Sequence, residues 1–199
     1  MANILLIGGC GYIGSRLFQV LNEEHAVDSV DIEWYGNHIN RFNIVKDFAD
    51  LTKKEVEFYD IVILLAGHSS VKMCDKNMVP TVKNNVLNFA KLLELIGNDQ
   101  TFIYASSSSV YGDTKSYVVN EGYNRFEPNN YYDLSKHEID SYAKLSGKRF
   151  FGLRFGTVNG ASPNLRNDIM INAMTYNALQ NGKVFCFNPE VHRPILGIE

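Results

Sequence analysis

The sequence has few cysteines, no excess of positive charge and no concentration of histidines. Its three cysteines, Cys10, Cys74 and Cys186, are odd in number and widely spaced, which argues against a disulfide framework and indicates a reducing compartment. With 19 basic and 22 acidic residues the formal net charge is −3, so the basic surface typical of nucleic-acid-binding proteins is missing. The five histidines form no cluster with metal-ligand spacing, and we expect no bound metal.

Long hydrophobic runs are also missing. The apolar run near the N-terminus, residues 4–7, is far too short for a signal peptide or a membrane span, and no basic residues flank it. It is better interpreted as a buried strand, and we expect a cytoplasmic protein without membrane contact. The composition, with 45% apolar and 21% charged residues, is typical of a folded globular chain.

Apolar runs alternate with segments of helical periodicity along most of the chain, which is the pattern of repeated βαβ units. Helical periodicity predicts helices at residues 12–24, about 51–57, 79–97, 130–146 and 168–181. The apolar runs predict strands at residues 3–7, 26–31, 42–45, 60–66, 101–105, 149–154 and 184–187. The sequence therefore predicts an α/β fold built on a doubly wound parallel sheet.

A glycine-rich loop joins the first predicted strand to the first helix. In the stretch GGCGYIG, Gly8, Gly11 and Gly14 are spaced three apart. The first glycine permits a tight turn, the second lets a pyrophosphate approach the backbone, and the third allows close packing of helix and strand. The helix then begins with Tyr12 and Ile13, whose free N–H groups favour a bound anion. This context predicts a Rossmann-type dinucleotide-binding site.

An acidic residue at the end of the second strand indicates which dinucleotide is bound. Asp31 can accept hydrogen bonds from both hydroxyl groups of an adenosine ribose, and it would repel a 2′-phosphate. No Arg or Lys follows it closely, since the next residues are Ile32, Glu33, Trp34 and Tyr35. We therefore expect NAD rather than NADP as the cofactor.

A tyrosine and a lysine four residues apart form the candidate catalytic pair. Tyr132 and Lys136 fall on one face of the predicted helix at residues 130–146, so Lys136 is expected to lower the pKa of the Tyr132 phenol. A phenolate can take a proton from a sugar hydroxyl while hydride leaves the same carbon. Ser107, in a serine run that follows the fifth strand, would lie in the crevice where cofactors bind.

With these residues in place, the chain resembles the NAD-dependent epimerase/dehydratase family, the extended short-chain dehydrogenases that act on nucleotide sugars. The stretch IGGCGYIG resembles the TGxxGxxG loop of that family, with Ile7 where Thr is usual. The segments YASSSSVYG and YYDLSK are similar to its Ser and Tyr–Lys segments. The resemblance implies that Ser107 polarises the reacting oxygen, that Tyr132 is the acid/base, and that Lys136 also holds the nicotinamide ribose.

The resemblance also implies contacts that spacing alone does not indicate. Asp47, in a segment similar to GDxxD, would contact the adenine. The stretch LLAGHSSV would border the nicotinamide, and Asn85 would support the active site. Within this stretch, His68 is interpreted as a polar wall residue, with a second acid near the sugar as the alternative. The additional residues implied for the cofactor are Asp47, Phe48, Leu65, Ala66, Gly67 and Asn85, and those implied for the substrate are Ser108 and Asn159.

Two departures from the family pattern affect the expected reaction. The dehydratases of the family resemble one another in having Thr-Asp-Glu where this chain has Ser107, Ser108 and Ser109, so a 4,6-dehydratase is disfavoured. The chain is also shorter than usual and stops within a segment similar to the R-P-x-x-x-V-x-D of the family. We therefore expect a NAD-binding domain at residues 1–160 and only a partial, truncated substrate-binding region at residues 161–199.

The leading hypothesis is a NAD-dependent epimerase that acts on a nucleotide sugar through a keto intermediate. A keto-sugar reductase of the same fold and a non-catalytic dinucleotide-binding protein remain as alternatives. The resemblance also implies a homodimer formed through the helices at residues 79–97 and 130–146, and such a symmetric contact requires apolar residues on the outer helix faces.

Overall fold

The central sheet has six strands, all parallel, in a computed structural model that describes residues 1–114, 118–123 and 125–199. The strand order is β3-β2-β1-β4-β5-β6, so the chain moves outward in one direction from β1 and then in the other from β4. The strands are β1 (Asn3–Ile7), β2 (Ala26–Asp31), β3 (Asn43–Val45), β4 (Ile61–Leu64), β5 (Thr101–Ser107) and β6 (Phe150–Phe155). The predicted Rossmann-type sheet is confirmed, and its order reverses beside β1, where such folds bind ligands.

Helices connect these strands and cover the sheet. They are α1 (Tyr12–Leu21), α2 (Lys53–Val56), α3 (Val71–Lys76), α4 (Met78–Thr81), α5 (Asn88–Leu95), α6 (Tyr131–Leu145) and α7 (Met170–Asn181). Between α4 and α5 the helix continues through a π-helical stretch, Val82–Leu87. Short 3-10 helices occur at Phe48–Asp50 and Ser108–Tyr111.

The C-terminal part departs from the sequence prediction. The expected strand at residues 184–187 is wrong, because this stretch has no regular structure and Phe187 is exposed. Instead, β7 (Thr157–Asn159) pairs in parallel with β8 (Ile195–Gly197) to form a separate two-stranded sheet. An apolar run of four residues meets the local requirement for a strand, but it pairs only where a partner edge is available.

Two clusters of buried apolar side chains lie on opposite faces of the sheet. The larger packs alternate residues of the inner strands against α5 and α6, with Phe89, Phe102 and Tyr104 at its centre. The smaller packs Ile4, Leu6 and other residues against α1. Within the described ranges, no helix is both long and apolar enough to cross a lipid bilayer.

Candidate functional site

The glycine loop after β1 turns so tightly that side chains are excluded at two of its three predicted positions. Gly8 has φ of +90°, and a Cβ there would lie 2.5 Å from the backbone nitrogen of Ala66. A Cβ on Gly14 would lie 2.0 Å from the Gly8 carbonyl oxygen. These contacts are with backbone atoms that cannot move aside, so both positions require glycine for the strand, turn and helix to pack together.

Gly11 is different, because the protein itself leaves room beside it. A Cβ on this residue would meet only the Gly8 carbonyl oxygen, at 3.3 Å. Gly11 caps the start of α1 without a side-chain hydrogen bond, so the N–H groups of the first turn, from Tyr12 to Gly14, have no partner within the helix. The open side of Gly11 and these N–H groups suit the close approach of a pyrophosphate, and the loop therefore fits a dinucleotide.

Asp31 ends β2 beside this loop, as predicted. Its carboxylate accepts hydrogen bonds from the backbone nitrogens of Cys10 (3.1 Å) and Glu33 (2.8 Å). Glu33 has φ of 56°, so the chain turns sharply there and continues away from the sheet. Both contacts use backbone groups, and they fix the carboxylate next to the turn that would hold the phosphates.

The next residues reach across the crevice. The Trp34 ring, which follows β2, lies 5.9 Å from the ring of His68, which follows β4. Because β1 lies between β2 and β4, this contact spans the carboxyl end of β1, where the glycine loop begins. Trp34 therefore covers part of the space that a dinucleotide on the loop would use, although 57% of its surface remains exposed.

The structure brings Ser107, Tyr132 and Lys136 together at the carboxyl end of β5. Ser107 is buried, and its hydroxyl oxygen accepts hydrogen bonds from the backbone nitrogen (3.2 Å) and the hydroxyl (2.9 Å) of Ser109. The Lys136 Nζ donates to the Ala105 carbonyl oxygen at 2.6 Å and lies 5.8 Å from the centre of the Tyr132 ring. A hydroxyl, a phenol and an ammonium group thus share one site.

The electrostatics differ from the sequence prediction in one respect. Burial raises the pKa of Tyr132, while interactions with Ser107 and Arg166 partly offset the effect. The pKa of Tyr132 is therefore raised rather than lowered as expected, in a structure where the Lys136 ammonium donates to the Ala105 carbonyl. Burial also lowers the pKa of Lys136 to about 8, against the opposing influence of Asp140 and Cys74.

Asn85 lies in the π-helical stretch and connects both sides of the site. Its Oδ1 accepts from the His68 backbone nitrogen (2.8 Å), and its Nδ2 donates to the His68 carbonyl (3.1 Å) and to the Ser135 hydroxyl (3.2 Å). The Ser135 hydroxyl in turn donates to the Tyr132 carbonyl at 2.8 Å. This buried amide therefore fixes the loop after β4 and the helix that carries Tyr132 relative to each other.

Other residues implied by the resemblance have mixed placements. Asp47 caps the 3-10 helix by accepting from the Ala49 nitrogen at 2.9 Å, whereas Phe48 buries its ring in the larger core cluster. Leu65 and Ala66 bond through their backbone nitrogens to the Ile7 carbonyl, which holds the end of β4 against the glycine loop.

The two predicted substrate residues also differ in placement. Ser108 begins the 3-10 helix after Ser107 and is partly exposed beside the site. Asn159 is buried, and its side chain donates to the Thr157 carbonyl (2.6 Å) and accepts from the Ile171 nitrogen (3.0 Å). Through these two bonds the Asn159 side chain links β7 to α7. Because both ends of its amide are occupied by backbone groups, a direct contact with substrate is not favoured.

A segment after β7 packs directly onto the glycine loop, which the motifs did not predict. The Ser162 hydroxyl donates to the Tyr12 carbonyl at 2.6 Å, and the Asn164 amide donates to the Cys10 carbonyl at 2.8 Å. The Tyr12 hydroxyl donates to the Gly160 carbonyl at 2.9 Å. These bonds join parts of the chain about 150 residues apart, and such pairings leave no periodic signal in a single sequence.

Arg166 closes the far side of the site. Its guanidinium pairs with Asp168 at 2.9 and 2.8 Å and donates to the Ser69 hydroxyl at 3.3 Å. It is also one of the charges that influence the pKa of Tyr132. Arg166 belongs to the stretch PNLRND, residues 163–168, and is the cation that this stretch contributes to the region of Tyr132. The described residues include no group of three or more His, Cys, Asp or Glu side chains placed to bind a metal ion.

Comparison with solved structures supports the same overall arrangement. The chain superposes on a UDP-N-acetylglucosamine 4-epimerase from Methanobrevibacter ruminantium with a TM-score of 0.88 and 24% identity, over 99% of this chain and 69% of that one. It superposes on a UDP-glucuronic acid 4-epimerase from Bacillus cereus, solved with UDP-glucuronic acid and NAD, with a TM-score of 0.84 and 26% identity, over 98% and 69% of the two chains.

Sequence comparison identifies curated relatives and the family. Protein CapI of Staphylococcus aureus is 32% identical over 181 residues, covering 79% of this chain and 54% of that protein. The CDP-paratose 2-epimerase of Salmonella typhi is 27% identical over 183 residues, covering 75% of this chain and 54% of that enzyme. The chain thus spans about half the length of the curated relatives it matches. The profile of the NAD dependent epimerase/dehydratase family matches residues 4–195, and the chain therefore belongs to that family.

Proposed function

We propose that this chain carries the NAD-binding and catalytic part of a nucleotide-sugar epimerase. The observation that carries the proposal is the single site in which Ser107, Tyr132 and Lys136 meet beside a glycine loop that has room for a pyrophosphate. Family membership and the neighbouring 4-epimerase solved with UDP-glucuronic acid and NAD support it.

The cofactor half of the proposal rests on the glycine loop, on Asp31 and on Asn85. The first turn of α1 would bind the pyrophosphate through its free N–H groups, and Asp31 would accept hydrogen bonds from the adenosine ribose. Asp47 and Phe48 lie in the adenine-contacting segment implied by the resemblance. Asn85 holds the His68 loop, and with it Leu65, Ala66 and Gly67, in a fixed position beside the crevice.

The chemical half rests on proton handling by this chain's own residues. NAD, when bound, supplies a hydride acceptor that can return the hydride to the sugar. Tyr132 would remove the proton from the sugar hydroxyl through its phenol oxygen and later give it back. Ser107 would donate a hydrogen bond to the reacting oxygen, and Lys136 would provide the positive charge that favours the phenolate once the side chains adjust to the cofactor.

The serines at the two positions after Ser107 favour epimerisation over dehydration. Elimination of water needs an additional acid and base, and the positions after Ser107 hold Ser108 and Ser109 rather than carboxylates. Ser108, partly exposed at this point, is suited to a hydrogen bond with the sugar rather than to acid catalysis.

The proposal is tested with NAD and two substrates taken from the relatives, UDP-N-acetylglucosamine and UDP-glucuronic acid. We expect binding of NAD in calorimetry, with NADP binding more weakly, and the slow appearance of the C4 epimer of one substrate by NMR. Tyr132→Phe should lower that turnover by about 10²–10⁴-fold, the usual contribution of a positioned acid/base, with NAD affinity nearly unchanged.

Two results would contradict the proposal. One is a folded Tyr132→Phe variant, checked by its thermal melt, that keeps wild-type turnover. The other is a folded wild-type protein that does not bind NAD in calorimetry, since the glycine loop and Asp31 would then have no cofactor role. Net accumulation of NADH during turnover would instead favour a sugar oxidoreductase.

We also propose a homodimer formed through the helical segment from α4 to α5 together with α6. Apolar side chains on these elements are strongly exposed, among them Val79, Leu87, Tyr142 and Leu145. Burial of such side chains against a second copy would stabilise a symmetric contact. Light scattering that shows only monomer at tens of micromolar protein would contradict this assembly.

A further inference from the structure

Asp140 lies one turn beyond Lys136 on α6 and is largely buried, with only 13% of its side chain exposed. Its Oδ1 accepts a hydrogen bond from the Tyr104 hydroxyl at 2.9 Å, and its Oδ2 accepts from the Arg154 Nε at 2.9 Å. A carboxylate on the catalytic helix is therefore tied to both β5 and β6. The proposed reaction gives this carboxylate no role.

The fold makes specific room for this arrangement. Tyr104 on β5 is paired directly with Gly152 on β6. A Cβ on Gly152 would lie 2.4 Å from the Tyr104 hydroxyl oxygen and 2.7 Å from its ring, so any larger residue would displace the tyrosine from the path to Asp140. Arg154 is held in turn by stacking on the Tyr111 ring, 4.9 Å from its centre.

The helix places Asp140 next to the candidate catalytic lysine. Tyr132, Lys136 and Asp140 follow one another at intervals of four residues, so they form a single row on the inner face of α6. Lys136 is buried and donates to the Ala105 carbonyl, which is neutral. Asp140 thus places a negative charge one helical turn from Lys136, whose charged form is disfavoured by burial.

The other groups around Lys136 cannot replace this charge. Among the described residues, Cys74 from α3 is the other charge that acts on Lys136, and Tyr132 lies one turn away on the same helix; burial raises the pKa of both. The amides of Asn84 and Asn85, which line the same small cavity from the π-helical stretch, are neutral. Arg154 is a cation and partly offsets the charge of Asp140.

We propose that Asp140 is a positioning residue that keeps Lys136 protonated, and that Tyr104 and Arg154 hold its carboxylate in place for this purpose. The role of Asp140 in catalysis rests on the function proposed above. Its effect on the protonation of Lys136 does not depend on that function. With the carboxylate removed, Lys136 should lose its proton at lower pH, and the support it gives to a Tyr132 phenolate should be lost at the alkaline end of the activity profile.

The test is a direct titration of Lys136 in the cofactor-free protein, followed through its side-chain nitrogen by NMR and assigned with Lys136→Met. The expected midpoint in the wild type is about 8. Asp140→Asn should lower it by about one pH unit, the order of effect expected when a partly neutralised charge is removed from the next turn of the helix. If the thermal melt shows that this variant is unfolded, Asp140→Ser replaces it.

The sign of the change separates a charge effect from a structural one. If Asp140 only braced the helix, its loss would let water reach Lys136, and the midpoint would rise. Asp140→Glu keeps the charge and should not lower the midpoint, whereas Tyr104→Phe releases one oxygen of the carboxylate and should lower the midpoint by less than Asp140→Asn does. Glu138→Gln is the matched control on the same helix and should change nothing.

A midpoint that stays constant or rises in the folded Asp140→Asn variant overturns the inference. The alkaline limb of the epimerase profile, measured in parallel, should move to lower pH with the same variant. If Tyr132→Phe keeps full turnover, the proposed function fails while the titration result for Asp140 and Lys136 remains valid. The two failures are therefore distinguishable.

Discussion

Replacing Asn85 tests whether its amide holds the site together. Asn85→Ala removes the acceptor of the His68 backbone N–H and one donor to the His68 carbonyl. In the described part of the chain the N–H then has no other acceptor, and the carbonyl keeps only the Cys74 thiol, at 3.7 Å. His68 is only 8% exposed, so water cannot readily replace the amide. The Ser135 hydroxyl keeps its bond to the Tyr132 carbonyl.

The expected loss follows from an orphaned His68 N–H and from a His68 carbonyl that keeps only the weak Cys74 thiol as donor. An unsatisfied buried backbone group costs about 1–3 kcal/mol, so the free energy of unfolding should fall by about 3 kcal/mol. In a chain of this size, each kcal/mol corresponds to about 2–4 °C in Tm, which gives a decrease of about 6–12 °C. NAD affinity should also fall, because the His68 loop would no longer be held beside the crevice.

The assay is thermal unfolding followed by circular dichroism, with the adjacent residue as control. Asn84 is in the same π-helical stretch, but its buried Oδ1 has no hydrogen-bond partner among the residues that the structure describes. Asn84→Ala should therefore cost less than about 1 kcal/mol. Equal losses of Tm in the two variants, or a loss below about 3 °C for Asn85→Ala, would refute the reasoning.

Three further outcomes are expected. Gly14→Ala should abolish NAD binding in calorimetry, because its Cβ would meet the Gly8 carbonyl oxygen, and unchanged affinity would contradict the described turn. Fluorescence of Trp34, the single tryptophan, should change on addition of NAD, because its ring covers part of the crevice; a constant spectrum at saturating NAD would place the cofactor elsewhere. With a thiol reagent at pH 8, exposed Cys186 should react rapidly and Cys10 slowly, since burial raises the Cys10 pKa to about 11; two or three rapid thiols would argue against this burial.

The sheet was predictable because buried parallel strands leave a strong local signal. Residues 4–7 and 61–66 are apolar throughout, and the observed strands Asn3–Ile7 and Ile61–Leu64 match these runs to within two residues at either end. Helix α3, at Val71–Lys76, was missed because it is a short helix with one buried side chain, Cys74, so it has no apolar periodicity to detect. The apolar stretch at residues 184–187 had the composition of a strand but no partner.

The candidate site was only partly predictable. Spacing along one helix identified Tyr132 and Lys136, and both residues lie at the site. Their electrostatics depend on burial and on the direction of the ammonium group, which spacing does not reveal. The contacts of Ser162 and Asn164 with the glycine loop depend on how the end of the chain returns to α1, and no local pattern encodes that return.

The π-helical stretch Val82–Leu87 has a consequence for how this part of the chain can vary in length. A π-helical turn is equivalent to one extra residue inserted into an α-helix, so the segments before and after it are rotated by about 100° relative to an unbroken helix. Thr81, which bonds to His68, and Phe89, which packs in the core, can therefore both face inward. Deleting one residue here would restore a regular helix and keep both Thr81 and Phe89 facing inward, because they would then lie seven residues apart on one α-helical face. A chain shortened in this way would have one side chain fewer in the stretch that carries Asn85 into the wall of the crevice.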